Sequence, residues 1–225
     1  MHIGLIGGIG PAATHYYHRA LSERHAASGR PLELTIAHAD VHELVRNHTN
    51  RDPQKQARIF AGLVQRLKTA GAAAAAITSM GGHFCVTELE ALSALPIVNA
   101  IPTVDVAIRQ RKLRTVGILG TRVVMDTGLY GGIVSAAVVR PAGAALDEVH
   151  SNYIEMATTG RVTSEQRRVF FEAGRRLCAD QGAEAVLLGG TDLFLAFEGQ
   201  DCGFAVLDCA DVHVEAIFQT WSAKA

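Results

Sequence analysis

The residues that could do chemistry stand at two matching positions, Ser79 and Gly190. Each follows a short run of small and aliphatic residues that a glycine introduces, Gly71 in the first case and Gly182 in the second. A serine hydroxyl can bind a carboxylate or donate a hydrogen bond, but without an activating base it is a poor proton acceptor. Glycine has no side chain to titrate. Chemistry that needs an acid–base group at both positions is therefore not available from these two residues alone.

Polar neighbours extend the candidate site. His83 follows Ser79 closely and is the best general base of the group, because an imidazole titrates at about 6.5; alternatively it holds the loop. After Gly190 come Thr191, which could bind a carboxylate, and Asp192, which is either a catalytic carboxylate or the cap of the next helix. His213, in the last predicted helix, either orients a bound group or packs between lobes.

An internal repeat predicts how these residues are positioned. Gly4-Leu5-Ile6-Gly7 reappears as Gly117-Ile118-Leu119-Gly120. Strand-like runs alternate with helical patterns, which favours an α/β fold. We therefore predict two pseudo-symmetric lobes, each a mainly parallel sheet flanked by helices, with a ligand cleft between matching strand ends. Residues 1–100 with 208–225 are assigned to the first lobe, and 101–207 to the second.

The apolar periodicity also predicts the individual elements. Strands are expected at 2–7, 32–38, 73–78, 96–98, 114–119, 136–140, 184–189 and 204–208. Helices are expected at 11–27, 53–70, 83–93, 102–112, 124–135, 145–159, 163–181 and 210–222. Asp52-Pro53 predicts a helix start, since an N-cap residue is followed by proline at the first helical position.

The first turn of the chain is rich in glycine. Gly8-Ile9-Gly10-Pro11-Ala12-Ala13 satisfies the dinucleotide pattern G-x-G-x-x-A, but Asp40 lies too far along to be its ribose-binding acid, and Pro11 lacks an amide. We favour a loop whose backbone amides at Gly8 and Gly10 bind a small carboxylate, with Thr14 adding a hydroxyl. The alternative is a tight turn without a ligand.

Composition narrows the class of protein. The 225 residues are 48% hydrophobic and 19% charged. Their formal net charge of −1 gives no electrostatic field that would attract nucleic acid or an anionic membrane. No apolar run is long enough to span a bilayer, and the pattern of the first residues predicts a strand and not a signal peptide. We therefore expect a cytoplasmic protein. The four cysteines show no CxxC spacing and the histidines no ligand spacing, so no metal site is expected. Among the thiols, Cys209 at a strand end is the first to examine.

At these motifs the chain resembles the aspartate/glutamate racemase family. Gly4 to Thr14 is similar to the family opening, Gly117 to Thr121 to its second-lobe signature, and Asp208 with His213 to its closing motif. The resemblance implies a two-lobed enzyme without a cofactor, often a homodimer, that acts on an amino acid or related small acid. It also implies substrate contacts from Gly82, Thr121 and Thr191.

The family's chemistry implies a thiol on each face of the substrate, placed in the motifs C-N-T-x-H and G-C-T-E. Here these motifs stand as Ser79-Met80-Gly81-Gly82-His83 and Gly189-Gly190-Thr191-Asp192. We expect two-thiol racemisation to be lost or replaced by altered proton transfer, such as a one-base decarboxylation or elimination that uses His83 or a water. The alternative is a catalytically silent binding or regulatory protein. Alignment places Glu155 where family members that take dicarboxylates carry a basic residue.

Overall fold

Parallel strands separated by helices build the chain, as the apolar runs predict. The computed structural model describes residues 2–222 and divides into two compact units. Unit 1 contains the residues up to Ala100 together with those from His213 onward, and unit 2 contains Ile101–Val212. The lobe boundaries assigned from the sequence stay a prediction.

Unit 1 is built on a three-stranded parallel sheet. Its strands are β1 (His2–Gly7), β2 (Glu33–His38) and β3 (Ala74–Ile77), in the order β2-β1-β3. The helices α1 (Pro11–Ser28), α2 (Val41–Thr49), α3 (Pro53–Thr69) and α4 (Val86–Leu92) connect or follow them, and α5 (Ala100–Gln110) leads into unit 2. All four β3 residues are buried, as expected for a parallel strand covered on both faces.

Unit 2 is built on a four-stranded parallel sheet. Its strands are β4 (Thr115–Leu119), β5 (Ala137–Val139), β6 (Ala185–Leu188) and β7 (Val206–Asp208), in the order β5-β4-β6-β7. The helices are α6 (Arg122–Thr127), α7 (Ala144–Thr159), α8 (Ser164–Gln181) and α9 (Phe194–Phe197), and α10 (Cys209–Ser222) begins here. The α/β fold with two parallel sheets flanked by helices is thus confirmed.

The strand registers place the two candidate positions alike within their own units. Ile6 pairs with Ile77 where β1 and β3 end, and Leu119 pairs with Leu188 where β4 and β6 end. Ser79 and Gly190 follow these last paired residues at the same interval. Each is succeeded by a short 3-10 turn. Both therefore lie at the carboxyl end of a parallel sheet, where ligands of α/β proteins commonly bind.

Helix signals in the sequence have local causes in the structure. Asp52 caps α3 as predicted, with its Oδ1 accepting from the Lys55 amide at 2.9 Å, and proline follows at the first helical position. Asp40 caps α2 in the same way, accepting from the Glu43 amide at 2.8 Å. The predicted elements include no helix at 41–49, where the apolar positions Val41, Leu44 and Val45 span less than two turns.

Two other predicted elements were wrong in extent. The strand at 96–98 is reduced to one isolated bridge between Ala75 and Ile97, since Pro96 has no amide to donate to a ladder. The helix at 124–135 becomes α6, which ends at Thr127. Gly128 and the next two residues have positive φ angles of 57°, 60° and 58°, a left-handed backbone that terminates a right-handed helix.

Candidate active site

Ser79 presents a hydroxyl at the end of β3. The residue is 7% exposed, and within residues 2–222 its Oγ makes no hydrogen bond. Its backbone carbonyl is occupied, because it accepts from the Gly82 amide at 3.2 Å and from His83 Nδ1 at 2.8 Å. These two bonds fold the 3-10 turn Gly81–Cys85 back onto the strand end. The turn therefore uses the Gly82 amide and leaves the Ser79 hydroxyl for another partner.

His83 is committed at both ring nitrogens. Nδ1 donates to the Ser79 carbonyl, so Nε2 is the acceptor, and it accepts from the Ala100 amide at 3.3 Å. Burial lowers the pKa of His83 to about 4. The ring is neutral at physiological pH, but its one lone pair already has a donor. The geometry favours the alternative in which His83 holds the loop over a role as general base.

His213 has a similar arrangement. Its Nε2 donates to the Val98 carbonyl at 2.7 Å, and its Nδ1 accepts from the Tyr17 hydroxyl at 2.9 Å. Burial, followed by the proximity of His83, lowers the pKa of His213 to about 3. The centroids of the two imidazole rings lie 5.7 Å apart in an edge-to-face arrangement. Both histidines therefore form a neutral, fully bonded cluster that joins the Ser79 turn to α1 and α10 inside unit 1.

The glycine loop is closed mainly by its own groups. The Gly8 amide donates to Thr14 Oγ1 at 3.0 Å, and the same oxygen lies 3.2 Å from both the Gly10 carbonyl and the Thr78 hydroxyl. Gly8 has a φ of +91°, and a Cβ there would come within 2.8 Å of the Ala39 carbonyl oxygen. Glycine is thus required for the turn itself. The Gly8 amide and the Thr14 hydroxyl bind each other, which favours the tight-turn alternative for this part of the loop.

Gly190 is enclosed by a tyrosine at the end of β6. Its φ of −128° is extended, so any residue type could adopt the backbone conformation. A Cβ on this residue, however, would meet Cε2, Cζ and Oη of Tyr153, the last at 2.6 Å. Tyr153 comes from α7 and is 6% exposed. The space in which a side chain of residue 190 would begin is filled by the phenol end of that ring.

Tyr153 belongs to a cluster of buried acidic groups. Its hydroxyl donates to Asp192 Oδ2 at 3.5 Å. Burial raises the pKa of Tyr153 well above its ordinary value, and the nearby Asp192 raises it further. Burial also raises the pKa of the Cys209 thiol well above its ordinary value, and Asp208 adds to that effect. Neither group supplies an anion near neutral pH. Asp192 lies inside the 3-10 turn Thr191–Leu193, and Leu193 rather than Asp192 is the N-cap residue of α9.

The two threonines predicted to bind a ligand differ in availability. Thr191 is 1% exposed, and its Oγ1 has no hydrogen-bond partner within the described residues. Thr121 caps α6, because its Oγ1 accepts from the Val124 amide at 3.3 Å. A buried hydroxyl without a partner is uncommon and calls for an explanation, such as strain, a water, an ion or a ligand. Thr191 is therefore the stronger candidate for a ligand contact.

Asp208 is a titratable group that the sequence analysis left out of the site. It ends β7, pairs in register with Leu188, and accepts the Ala210 amide at 2.8 Å on Oδ1. Burial raises the pKa of its carboxyl to about 7. A carboxyl that titrates near neutrality at a strand end can take up and release a proton under physiological conditions.

Other features of the described chain add no candidate chemistry. Residues 2–222 contain no cluster of three metal-ligating side chains, and no helix there is both long and apolar enough to cross a membrane. A groove of about 240 Å³ lies between α7 and α8, and its lining includes none of the candidate residues named above. Its arginines Arg168 and Arg176 are paired with Glu165 and Glu172.

Comparison with known proteins places the chain in a family. The model of the Asp/Glu/hydantoin racemase family matches residues 6–217, which is nearly the whole chain. This protein belongs to the Asp/Glu/hydantoin racemase family. The resemblance stated from its sequence motifs is confirmed.

Solved structures of racemases share the fold of this family member. A Yersinia pestis protein described as a candidate Asp/Glu racemase has a TM-score of 0.83 at 25% identity, covering 99% of this chain and 100% of that one. An aspartate racemase homologue from Pyrococcus horikoshii has a TM-score of 0.81 at 24% identity, and the match covers 98% of this chain and 99% of that one. Glutamate racemase from Francisella tularensis, solved with D-glutamate, has a TM-score of 0.71 at 14% identity, and the match covers 100% of this chain and 82% of that one.

The sequence motifs of this racemase-family chain do not point to Tyr153. The motif after β6 draws attention to residues 189–192, whereas the side chain that fills the space beside Gly190 comes from α7. The family alignment points on that helix only to Glu155, which is an exposed residue. A buried tyrosine on the same helix, opposite a glycine that lacks the expected side chain, would have been the better candidate.

Proposed function

We propose that the protein binds a small amino acid or carboxylic acid at the carboxyl ends of its parallel strands, and that two-thiol racemisation has been lost. The observation that carries the proposal is the buried hydroxyl of Thr191, which has no partner within residues 2–222. An unsatisfied buried hydroxyl costs roughly 1–3 kcal/mol. A carboxylate oxygen of a bound acid would accept its proton. The free hydroxyl of Ser79 supports the same use of the strand end in unit 1.

The acid–base inventory supports binding without exchange of the α-hydrogen. Removing and returning that proton on opposite faces needs two groups that titrate near neutral pH. Gly190 offers none, while Tyr153 and Cys209 stay protonated because burial raises their pKa values. His83 and His213 have both ring nitrogens engaged. A binding or regulatory role follows most directly from this set.

Calorimetric titration and proton NMR test the proposal together. We expect wild type to bind at least one acid from a panel of free amino acids and dicarboxylates, and Thr191→Val to weaken that binding by about tenfold. Thr69→Val, at an exposed helix position, is the matched control. In D₂O the α-hydrogen signal of the bound amino acid should persist. Absence of binding across the panel, or rapid loss of the α-hydrogen, would each contradict the proposal.

A one-base reaction is the second candidate, and Asp208 is the observation that favours it. Its carboxyl has a pKa of about 7, which suits a single proton transfer in a decarboxylation or an elimination. Release of carbon dioxide or ammonia from an amino acid would support this candidate if Asp208→Asn abolished it. The sequence predicts His83 or a water in this role, whereas the engaged ring nitrogens of His83 and the raised pKa of Asp208 favour Asp208.

We further propose that the protein works without a cofactor, as a homodimer, in the cytoplasm. The absence of a cofactor and the homodimer are what the family resemblance implies, and the compartment is the expectation from the sequence. Sedimentation of the purified protein tests the homodimer, and absorption and metal analysis of the same sample test the absence of a cofactor. A monomer at all concentrations, or a stoichiometric bound group, would reject the corresponding part.

A further inference from the structure

The phenol end of Tyr153 occupies the place of a side chain on residue 190. The atoms nearest to a Cβ built on Gly190 are Cε2, Cζ and Oη, with Oη at 2.6 Å. The ring thus reaches the strand end with its hydroxyl foremost. A functional group is present at this point of unit 2, although it is carried by α7 and not by the strand end.

The orientation of the hydroxyl proton determines what the oxygen can bind. Tyr153 donates towards Asp192 Oδ2 at 3.5 Å, and the Asp192 backbone amide also acts on the phenol oxygen and lowers the pKa of Tyr153. A donor on a ligand would share Oη with that amide, because a phenol oxygen can accept as well as donate. The charged groups that act on this cluster are acidic. Asp192 raises the pKa values of Tyr153 and Cys209, and other carboxylates raise that of Asp208. A phenol oxygen in negative surroundings favours a cationic donor over a carboxylate.

We propose that Tyr153 is a specificity-determining residue, whose Oη supplies from α7 the polar contact that Gly190 lacks and accepts a hydrogen bond from the ammonium group of the bound acid. The inference rests on the proposed function, since it concerns the same ligand. It assigns Tyr153 a role in recognition, and no proton leaves or enters the tyrosine in this role. Gly190 is then required because any larger residue would displace the phenol.

The test compares ligands that differ only in the amino group. Calorimetry is performed with glutamate and glutarate, and with aspartate and succinate, on wild type, Tyr153→Phe and Tyr16→Phe. Tyr153→Phe keeps the ring and so preserves packing against Gly190. Tyr16 is a buried tyrosine of α1 in unit 1 and controls for the loss of a phenol hydroxyl elsewhere.

We expect wild type to bind the amino acid more tightly than its deaminated analogue. Tyr153→Phe should weaken binding of the amino acid by about tenfold to a hundredfold, the usual effect of losing a hydrogen bond to a charged group. Binding of the analogue should not change. Tyr16→Phe should change neither. If Tyr153 were purely structural, its substitution would change the affinities for both ligands together or for neither.

The outcomes separate the inference from the proposed function. If Tyr153→Phe binds the amino acid as wild type does, or if wild type prefers the deaminated analogue, recognition by Tyr153 is rejected while acid binding stands. If wild type binds none of the four acids, the proposed function fails and the inference fails with it. Thermal unfolding of each variant establishes that the compared proteins are folded.

Discussion

The two strand ends have equivalent positions in their sheets but obtain their side chains in different ways. After β3, the strand end itself provides a hydroxyl at Ser79, and two neutral histidines hold the following turn. After β6, the strand end provides only Gly190, and the phenol of Tyr153 enters from α7. A repeated backbone therefore does not imply repeated chemistry. Where one copy lacks a side chain, a neighbouring helix can deliver one to the same place.

The electrostatic surroundings of the two ends also differ. Near Ser79, burial lowers the pKa values of two histidines, which keeps them uncharged. Near Gly190 the titratable groups are acids, and burial raises the pKa of Asp208 to about 7. The first end is thus electrically neutral over the physiological range, whereas the charge of the second end changes within it.

The largest difference between the ends should appear when each receives an alanine. Gly190→Ala places a methyl group against the Tyr153 ring and is expected to lower the free energy of unfolding by about 2–3 kcal/mol. Ser79→Ala removes a hydroxyl without an internal partner and should lower the free energy of unfolding by less than about 1 kcal/mol. Urea unfolding of both variants gives the two values.

A double-mutant cycle identifies Tyr153 as the cause. Tyr153→Ala alone should cost about 3–5 kcal/mol, but in that background Gly190→Ala should cost little, because the clash is gone. An equal cost of Gly190→Ala in both backgrounds would mean that Tyr153 is not what requires a glycine there.

Acidification should weaken the histidine cluster of unit 1. The unfolded chain takes up a proton on each histidine near pH 6.5, whereas native His83 and His213 resist protonation until about pH 4 and 3. Stability therefore falls as pH drops below about 6.5, by up to about 1.4 kcal/mol per pH unit for each histidine. Urea unfolding between pH 7 and about 4.5 should show a smaller slope for His83→Asn. An identical slope would contradict a buried neutral His83.

Asp208 should act in the opposite direction. Its native pKa of about 7 exceeds the ordinary 3.8, so the native state disfavours the carboxylate and loses stability as pH rises from about 4 to 7. Asp208→Asn keeps an acceptor for the Ala210 amide and should stabilise the protein by about 1–2 kcal/mol at pH 8, but hardly at pH 4. The exposed Asp180→Asn is the control. A gain that is independent of pH would reject the raised pKa.

The smallest effect concerns thiol reactivity. Burial raises the pKa of Cys85 to about 12 and that of Cys209 well above its ordinary value. At pH 8 neither should react with iodoacetamide in the native protein, because the thiolate is the reactive form. Cys178 is less buried and should react first, as peptide mass spectrometry would reveal. Early labelling of Cys209 would show that the strand end of unit 2 is more open than described.

Local sequence signals predict the framework well. The runs that become β1, β3, β4 and β6 are apolar, and a glycine directly follows all of them except β3, so tertiary contacts reinforce what the local pattern indicates. The errors arise where local signals are weak. The helix α2 is short, and α6 is cut off by residues such as Leu129 and Tyr130 that adopt a positive φ without an obvious sequence signature.

The candidate site is less predictable than the fold. Ser79, Thr191 and Asp192 were identified because the internal repeat and the family motifs point to the residues after β3 and β6. The state of His83 depends on the Ala100 amide and on burial, which no motif encodes. Tyr153 is distant from Gly190 in sequence and meets it only through the packing of α7. Sequence motifs locate strand ends, but they do not indicate which neighbouring helix fills an empty position there.

The discontinuity of unit 1 has a consequence for biosynthesis. Residues from His213 onward complete this unit, and His213 bonds both the Val98 carbonyl and the Tyr17 hydroxyl. As the ribosome extends the chain, the first hundred residues emerge before their last helix exists, whereas unit 2 is a continuous segment. The helix segment that completes unit 1 is synthesised directly after Val212, the last residue of unit 2, so both units become complete at nearly the same point of synthesis. The hydrogen bond from His213 to the Val98 carbonyl spans 115 residues and is therefore among the last contacts that the growing chain can form.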